Sequence, residues 1–312
     1  MPYPIERKLV VGVSSNALFD LQAEDGIFRH QGLEEYKRHQ IENRNVVLKK
    51  GVAFPFIRRF LNINRIFPDK KPVEVVILSK NSPETGLRIF NSIREYELDI
   101  SRAAFTSGRS PFEYIPAYNI SLFLSTDETD VKKAIEKSYP AGRILKTNIH
   151  DDENDPELRL AFDFDGVLVD DSSEQFYQEC GDLNEYFKHE KEFSDKPLEA
   201  GLLLEFLQKV SFFQKLENKA LQENPQYRKV LRTAIITARN APAHERAVNT
   251  LTHWGVDVDE MFFLGGIEKR RILEILKPHL FIDDQISHLD KSLNDIPLVH
   301  VPFGFINREK KQ

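Results

Sequence analysis

LAFDFDGVLVDD, Leu160–Asp171, decides the fold. An apolar strand, read as Leu160–Phe164, delivers Asp163 and then Asp165 at its carboxyl end. Gly166 follows, where the backbone is free to turn sharply. Side chains at i and i+2 of a strand share a face, so both carboxylates are expected together just beyond the strand. Binding sites of open α/β sheets lie at that end. Two acids this close repel unless a cation sits between them or one holds a proton. Mg²⁺, a hard cation that takes oxygen ligands, suits such a pair.

Outward from this stretch, further short apolar runs read as buried parallel strands: Leu9–Val13, Val73–Leu78, Ser121–Leu124, Thr233–Ile236 and Leu280–Ile282. Helical patterns fall between them, at Gly86–Tyr96, Leu202–Glu217 and Ala243–Trp254. Strands alternating with helices predict an α/β fold, a Rossmann-like parallel sheet flanked by helices. The pattern lapses between Ser138 and Glu157, in AGRILKTNIHDDENDPE, which marks a boundary between residues 1–145 and 146–312.

Three segments of the second half carry chemistry beside Asp163 and Asp165. TAIITARN, Thr233–Asn240, is a strand ending in the hydroxyl of Thr237, with Arg239 just after it. GGIEKRRIL, Gly265–Leu273, supplies Lys269 ahead of a helix. HLFIDDQ, His279–Gln285, is a strand ending in the pair Asp283–Asp284. Together these groups suit phosphoryl transfer. Asp163 is the nucleophile on phosphorus. Asp165 protonates the leaving oxygen and then deprotonates water. Thr237 and Lys269 hold phosphate oxygens, with Arg239 in support. Asp163, the Asp165 backbone, Asp283 and Asp284 are the expected Mg²⁺ ligands.

DFDGVLVDD, the strand-terminal Thr237, Lys269 and the IDD pair resemble the four motifs of the haloacid dehalogenase superfamily of phosphatases, in that family's order. The dehalogenases themselves lack the second aspartate that Asp165 matches. A narrower resemblance covers nearly the whole chain. VVGVSSNALFDLQAEDGIF, VEVVILSKNSPETGLRIFNSI, DISRAAFTSGRSPFEYI and LFIDDQ are similar to the type I cytosolic 5′-nucleotidases. The resemblance implies a Mg²⁺-dependent enzyme that hydrolyses nucleoside monophosphates such as AMP to nucleoside and phosphate. Alternatives on the same residues are a sugar-phosphate phosphatase, a phosphotransferase, or a nucleotide-binding regulator with residual hydrolysis.

The chain also repeats itself. At an offset of 150, residues 13–60 fall on 163–210, with LEEYKRHQIE at Leu33–Glu42 against LNEYFKHEKE at Leu183–Glu192. At an offset of 158, residues 79–127 fall on 237–285. Two duplicated halves are therefore expected, with the C-terminal one catalytic. Asp163, Asp165, Thr237, Lys269, Asp283 and Asp284 face Val13, Ser15, Ser79, Pro111, Ser125 and Thr126. The first half is thus read as a degenerate copy serving packing, with Asn81, Phe105 and Thr106 as candidate substrate contacts. Residues 171–230 form an insertion of helices, EQFYQECGDLNEYFKHEKEF and LLLEFLQKVSFFQKLENKALQ, read either as a cap that moves or as fixed parts of the fold. AFPFIRRFL, Ala53–Leu61, has the spacing of a core helix face. Arg246 and Arg270–Arg271 read as a solvated face. The nine histidines show no metal-ligand spacing, and the tail INREKKQ reads as a solvated terminus.

With 41% hydrophobic and 29% charged residues, the chain of 312 residues can bury a real core. A net charge of −6 argues against a general nucleic-acid binder. No apolar run of about 18 residues exists, so no transmembrane helix is expected. MPYPIERKLVVGV has no secretory pattern. Cys180 is the single cysteine, which fits a reducing compartment and a cytoplasmic protein. The partner expected is the nucleotide substrate, and a homo-oligomer is compatible with the sequence.

Overall fold

Apolar runs followed by turns build two five-stranded parallel arrangements from this chain. The structure is a computed structural model and describes residues 4–147, 149–289, 293 and 295–307. The charged tail from 308 onward lies outside the described residues. The chain divides into two units, Met1–Lys146 and Thr147–Gln312. Among the described residues, no helix is long and apolar enough to cross a membrane.

In unit 1 the order is β1 (Leu9–Val13), α1 (Ser15–Leu18), β2 (Phe19–Asp20), α2 (Gln22–Gln31), α3 (Leu33–Glu42), β3 (Lys49–Lys50), α4 (Phe54–Ile66), β4 (Val73–Ser79), α5 (Pro83–Glu95), β5 (Arg102–Phe105), β6 (Ile120–Ser125), α6 (Glu128–Glu136) and β7 (Ala141–Ile144). Its parallel strands pair in the order β5-β4-β1-β6-β7. In unit 2, β8 (Leu158–Phe162) leads to α7 (Ser172–Cys180), α8 (Leu183–Glu192) and α9 (Leu204–Glu223). Then come β9 (Leu231–Thr237), α10 (His244–His253), β10 (Glu260–Phe263), α11 (Lys269–Leu276), β11 (Leu280–Asp283) and β12 (Leu298–His300). Its parallel order is β10-β9-β8-β11-β12. The two orders are the same, element for element. β1 and β4 are buried along their whole length, as a parallel sheet covered on both faces requires.

The correspondence reaches single hydrogen bonds. Leu48 N donates to Ser92 Oγ at 3.0 Å, and Leu198 N to Thr250 Oγ1 at 3.1 Å. Arg88 Nε donates to Val46 O at 2.9 Å, and Arg246 Nε to Lys196 O at 3.0 Å. Asn91 and Asn249 reach Arg44 O and Ser194 O. Each pair is related by the offsets of 150 and 158 found in the sequence. The ion pair Glu74–Arg102 returns as Arg232–Glu260 with its charges exchanged, so the contact persisted while its polarity did not.

Several expectations need correction. β8 ends at Phe162 rather than Phe164, because the turn begins early. Asp163 Oδ1 takes the amide of Phe164 at 2.7 Å, and Phe164 O accepts from Leu168 and Val169. Asp163 and Asp165 therefore sit in the turn beyond the strand. AGRI, placed in the boundary stretch, is strand β7 beside β6. β5, β10 and β12 are short and went unread, the first two being only half-buried. EQFYQECGDLNEYFKHEKEF is two helices, broken at Gly181, whose φ is +63°. α9 packs into the core: it buries Phe206, Leu207, Val210 and Phe213, and the Phe206 ring lies 6.2 Å from that of Phe162. AFPFIRRFL begins α4, whose Phe54, Phe56 and Phe60 are core.

Gly51 and Gly201 occupy equivalent tight approaches. A Cβ would lie 2.7 Å from Ala17 O at the first and 2.6 Å from Val169 O at the second. Neither neighbour is a side chain that can swing away. Gly51→Ala and Gly201→Ala should each lower the thermal unfolding midpoint, at a cost of about 1–3 kcal/mol. Gly26→Ala, in α2 with nothing within 4 Å, should leave it unchanged or raised. Equal midpoints for all three would remove the steric account.

Candidate active site

The carboxyl ends of β8, β9 and β11 and the first residue of α11 converge in unit 2. Asp163 follows β8, its amide donating to Ile282 O at 2.8 Å, which ties it to the neighbouring strand β11. Lys269 opens α11, and its buried Nζ lies 2.7 Å from Asp163 Oδ2 and 2.7 Å from Asp283 Oδ2. Thr237 ends β9, fully buried, and its Oγ1 accepts from Arg239 N at 3.2 Å. Asp284 is buried, and its Oδ1 has no hydrogen-bond partner among the described residues. A side chain at Gly166 would be strained: its φ is +73°, and a Cβ would fall 2.5 Å from Asp284 Oδ2.

Asp165 is held differently from the others. Arg239 grips it through Nε–Oδ2 at 2.8 Å and Nη2–Oδ1 at 2.6 Å. Nη1 of the same guanidinium donates to Glu190 Oε2 and, at 3.4 Å, to Ala243 O. Glu190 Oε1 accepts from Ser173 Oγ at 3.0 Å and Arg246 Nη1 at 2.9 Å. The guanidinium carbon rests 5.4 Å from the centre of the Phe164 ring. Arg246 is therefore a half-buried partner of Glu190 and not part of a solvated face.

Charge is out of balance around Lys269. Burial pushes Asp163 up to about 7, with Lys269 opposing and Asp283 adding to the rise. Burial, Asp163 and Asp283 push Asp284 up to about 9. Burial would also raise Asp283, but Lys269 and His288 outweigh it and hold that carboxyl below its ordinary value. One ammonium cannot offset three buried carboxylates, so the cluster holds either a proton or a further cation.

The residues fit a divalent cation. Asp163, Asp283 and His288 bring ligand atoms within 4.8 Å of one another. The unpartnered Asp284 Oδ1 is a further oxygen donor. Oxygen donors predominate, which favours Mg²⁺ among common ions. The carboxylate of Asp165 is taken by Arg239. His288 Nδ1, 3.2 Å from both Asp283 oxygens, went unread because it reaches the cluster through a short helical turn five residues beyond Asp283. Glu190 also went unread. Its one signal was that it faces neutral Gln40 inside the best-matched block of the repeat.

Unit 1 holds a neutral network at the corresponding positions. Asn81 Oδ1 accepts from Ser15 Oγ at 2.9 Å and from Ser79 Oγ at 2.5 Å, and its Nδ2 donates to Tyr36 Oη at 2.8 Å and to Thr85 Oγ1 at 3.3 Å. Phe105 packs edge-to-face on Phe90. Thr106 Oγ1 donates to Ser79 O at 3.1 Å. All three candidate contacts are thus engaged inside unit 1.

The family model described as 5′-nucleotidase matches residues 1–308, and the chain belongs to that family. Human cytosolic 5′-nucleotidase 1B is 33% identical to it over 297 residues, 93% of this chain and 48% of the relative. The chain spans about half the length of that curated relative.

Asp284 gives the cluster a pH signature. A carboxyl whose folded pKa lies above its unfolded value binds more protons in the folded state between the two, so its contribution to stability falls as pH rises through that window. For Asp284 the window runs from the ordinary 3.8 to about 9. Asp284→Asn should therefore raise the unfolding temperature of the metal-free protein more at pH 8 than at pH 5. An equal change at both would show that Asp284 is ionised throughout.

Proposed function

We propose that this chain is a phosphoric monoester hydrolase, a Mg²⁺-dependent 5′-nucleotidase that cleaves nucleoside 5′-monophosphates such as AMP through an aspartyl-phosphate. The observation that carries this reading is the buried Asp163 carboxylate. It lies 2.7 Å from Lys269, among strand ends that also present Thr237, Asp283 and Asp284. The family match supports the substrate class.

In this mechanism Asp163 attacks phosphorus, the ester oxygen leaves, and a phospho-aspartate forms at Asp163. Asp165 gives its proton to the departing 5′-oxygen and then takes one from the water that attacks phosphorus. Lys269, oriented by Asp283, and the Thr237 hydroxyl donate to phosphoryl oxygens and offset the charge that develops there. Spacing in the sequence offers Arg239 to the phosphate. Its guanidinium is here committed to Asp165 and Glu190, so the mechanism assigns it the task of orienting Asp165. Bound by Asp163, Asp283 and Asp284, Mg²⁺ would favour the ionised nucleophile and neutralise phosphoryl charge. Unit 1 has neutral residues at every corresponding charged position, which assigns the reaction to unit 2 and leaves unit 1 a role in packing.

Phosphate release from a panel of nucleoside monophosphates and sugar phosphates tests this. Preference for a nucleoside 5′-monophosphate is expected, with loss of turnover in EDTA and recovery on adding Mg²⁺. Asp163→Asn should lower kcat by at least about a thousandfold while the protein stays folded. Near-normal turnover by that variant would dismiss the nucleophile assignment, and activity on sugar phosphates alone would move the substrate class.

A further inference from the structure

Glu190 has no place in the mechanism above, yet it is wholly buried and its carboxylate meets Ser173, Arg239, Arg246 and the His189 ring. It stands on α8, ties to α7 through Ser173 and to α10 through Arg246, and backs the guanidinium that holds Asp165. Arg239 has five N–H donors in a rigid plane. Nε and Nη2 are directed at Asp165, and Nη1 at Glu190 and the Ala243 carbonyl. With the Phe164 ring 5.4 Å from its central carbon as well, the guanidinium is held by carboxylates on two sides. Remove the carboxylate at Nη1 and only the Ala243 carbonyl, at 3.4 Å, restrains the guanidinium against rotation about the Asp165 contact.

The duplication supplies an internal control. Unit 1 has Gln40 where unit 2 has Glu190, Asn81 where it has Arg239, and Ser15 where it has Asp165. Arg88, the counterpart of Arg246, still donates to Gln40 Oε1 at 3.0 Å and to Val46 O. Its carboxylate partner is Glu24 on α2, at 2.8 Å. The helical hairpin of unit 1 therefore packs on its neighbour without an acid at position 40. The fold asks for a hydrogen-bond acceptor there, and a carboxylate occurs where the Arg239–Asp165 pair occurs.

We infer that Glu190 is a positioning residue for turnover: it anchors Arg239 in the orientation that places the Asp165 carboxylate, and it does so without touching substrate. The inference rests on the assignment of Asp165 as the acid and base. Loss of the anchor lets that carboxylate drift from the leaving oxygen. Displacements of about 1 Å in such groups cost up to about a hundredfold in rate. Ground-state binding of the phosphate by Lys269 and Thr237 is left in place, so the loss falls on kcat.

The test is a double-mutant cycle on the full chain with Mg²⁺, using AMP or the best phosphomonoester of the panel. Glu190→Gln should fold, as Gln40 does in unit 1, with kcat down about tenfold to a hundredfold and KM within about threefold of the parent. In an Arg239→Asn background the same substitution should leave kcat unchanged. It should raise the unfolding temperature there, because it removes a buried carboxylate that has lost a partner. Parental kcat in Glu190→Gln overturns the inference. So does an equal loss of kcat in both backgrounds, or a rise in KM at constant kcat. If Glu190→Gln does not fold, Glu190→Asp keeps the charge and withdraws it by one methylene; parental kcat in that variant is equally fatal. Asp165→Asn separates the two levels. Normal turnover there dismisses the acid–base assignment, whereas an inactive Asp165→Asn beside a parental Glu190→Gln dismisses Glu190 alone.

Discussion

The ammonium of Lys269, 2.7 Å from both Asp163 and Asp283, is the contact on which the rest of unit 2 depends. Three carboxylates lie buried at the ends of β8 and β11, and each unpaired charge there carries a penalty of several kcal/mol. Bringing one ammonium to two of them requires that β8 and β11 be neighbours and that α11 begin at residue 269. Packing Asp284 beside them is eased by the glycine at 166, where a Cβ would crowd the Asp284 carboxylate. A surplus of negative charge remains all the same. A phosphoryl group would enlarge it, and a divalent cation held by the same carboxylates would offset both.

Most of the strand ends were legible because a buried parallel strand is a continuous apolar run and its last residue announces itself by polarity. β1 was read to the residue, and β4, β6, β9 and β11 to within one or two. What escaped is short or two-sided. β5 and β10 are four residues each with only partial burial, too little for periodicity to register. AGRI is four residues in front of an acidic stretch that drowned it. Within the candidate site, Asp163, Thr237, Lys269, Asp283 and Asp284 could be placed because each lies at an element terminus. His288 and Glu190 could not. One arrives through a turn and the other through a helix packed from a distance, and nothing in local spacing reports a contact 49 residues away such as Arg239 with Glu190.

Comparison of the units separates what the fold needs from what the chemistry needs. Backbone-directed hydrogen bonds by Arg88 and Arg246, by Asn91 and Asn249, and by Ser92 and Thr250 survive in both. They fix where the hairpin and the following loop sit, and loss of the Ser92 or Thr250 hydroxyl would leave the buried amide of Leu48 or Leu198 unpaired. The Glu74–Arg102 and Arg232–Glu260 pairs show the weaker constraint of an ion pair, which tolerates reversal so long as both ends change.

That last constraint also bears on the positions of unit 1 that correspond to the charged groups of the site, all of which are neutral although Lys80, Asp127 and Asp130 pair close by. Buried charges that balance one another cannot be lost singly without stranding the remainder at a cost of several kcal/mol. Replacing Lys269 alone would leave the buried carboxylates of Asp163 and Asp283 without their ammonium, and replacing Arg239 alone would leave both Asp165 and Glu190 short of their cation. Unit 1 has Val13, Ser15, Gln40, Asn81, Pro111, Ser125 and Thr126 where unit 2 has Asp163, Asp165, Glu190, Arg239, Lys269, Asp283 and Asp284. Five acids and two bases are absent together. Their places are taken partly by hydroxyls and amides that satisfy one another, as Ser15, Ser79, Asn81 and Tyr36 do. Residue 190 belongs to that set by the same electrostatic accounting, although it lies on a helix well removed in sequence from every strand end that carries the others.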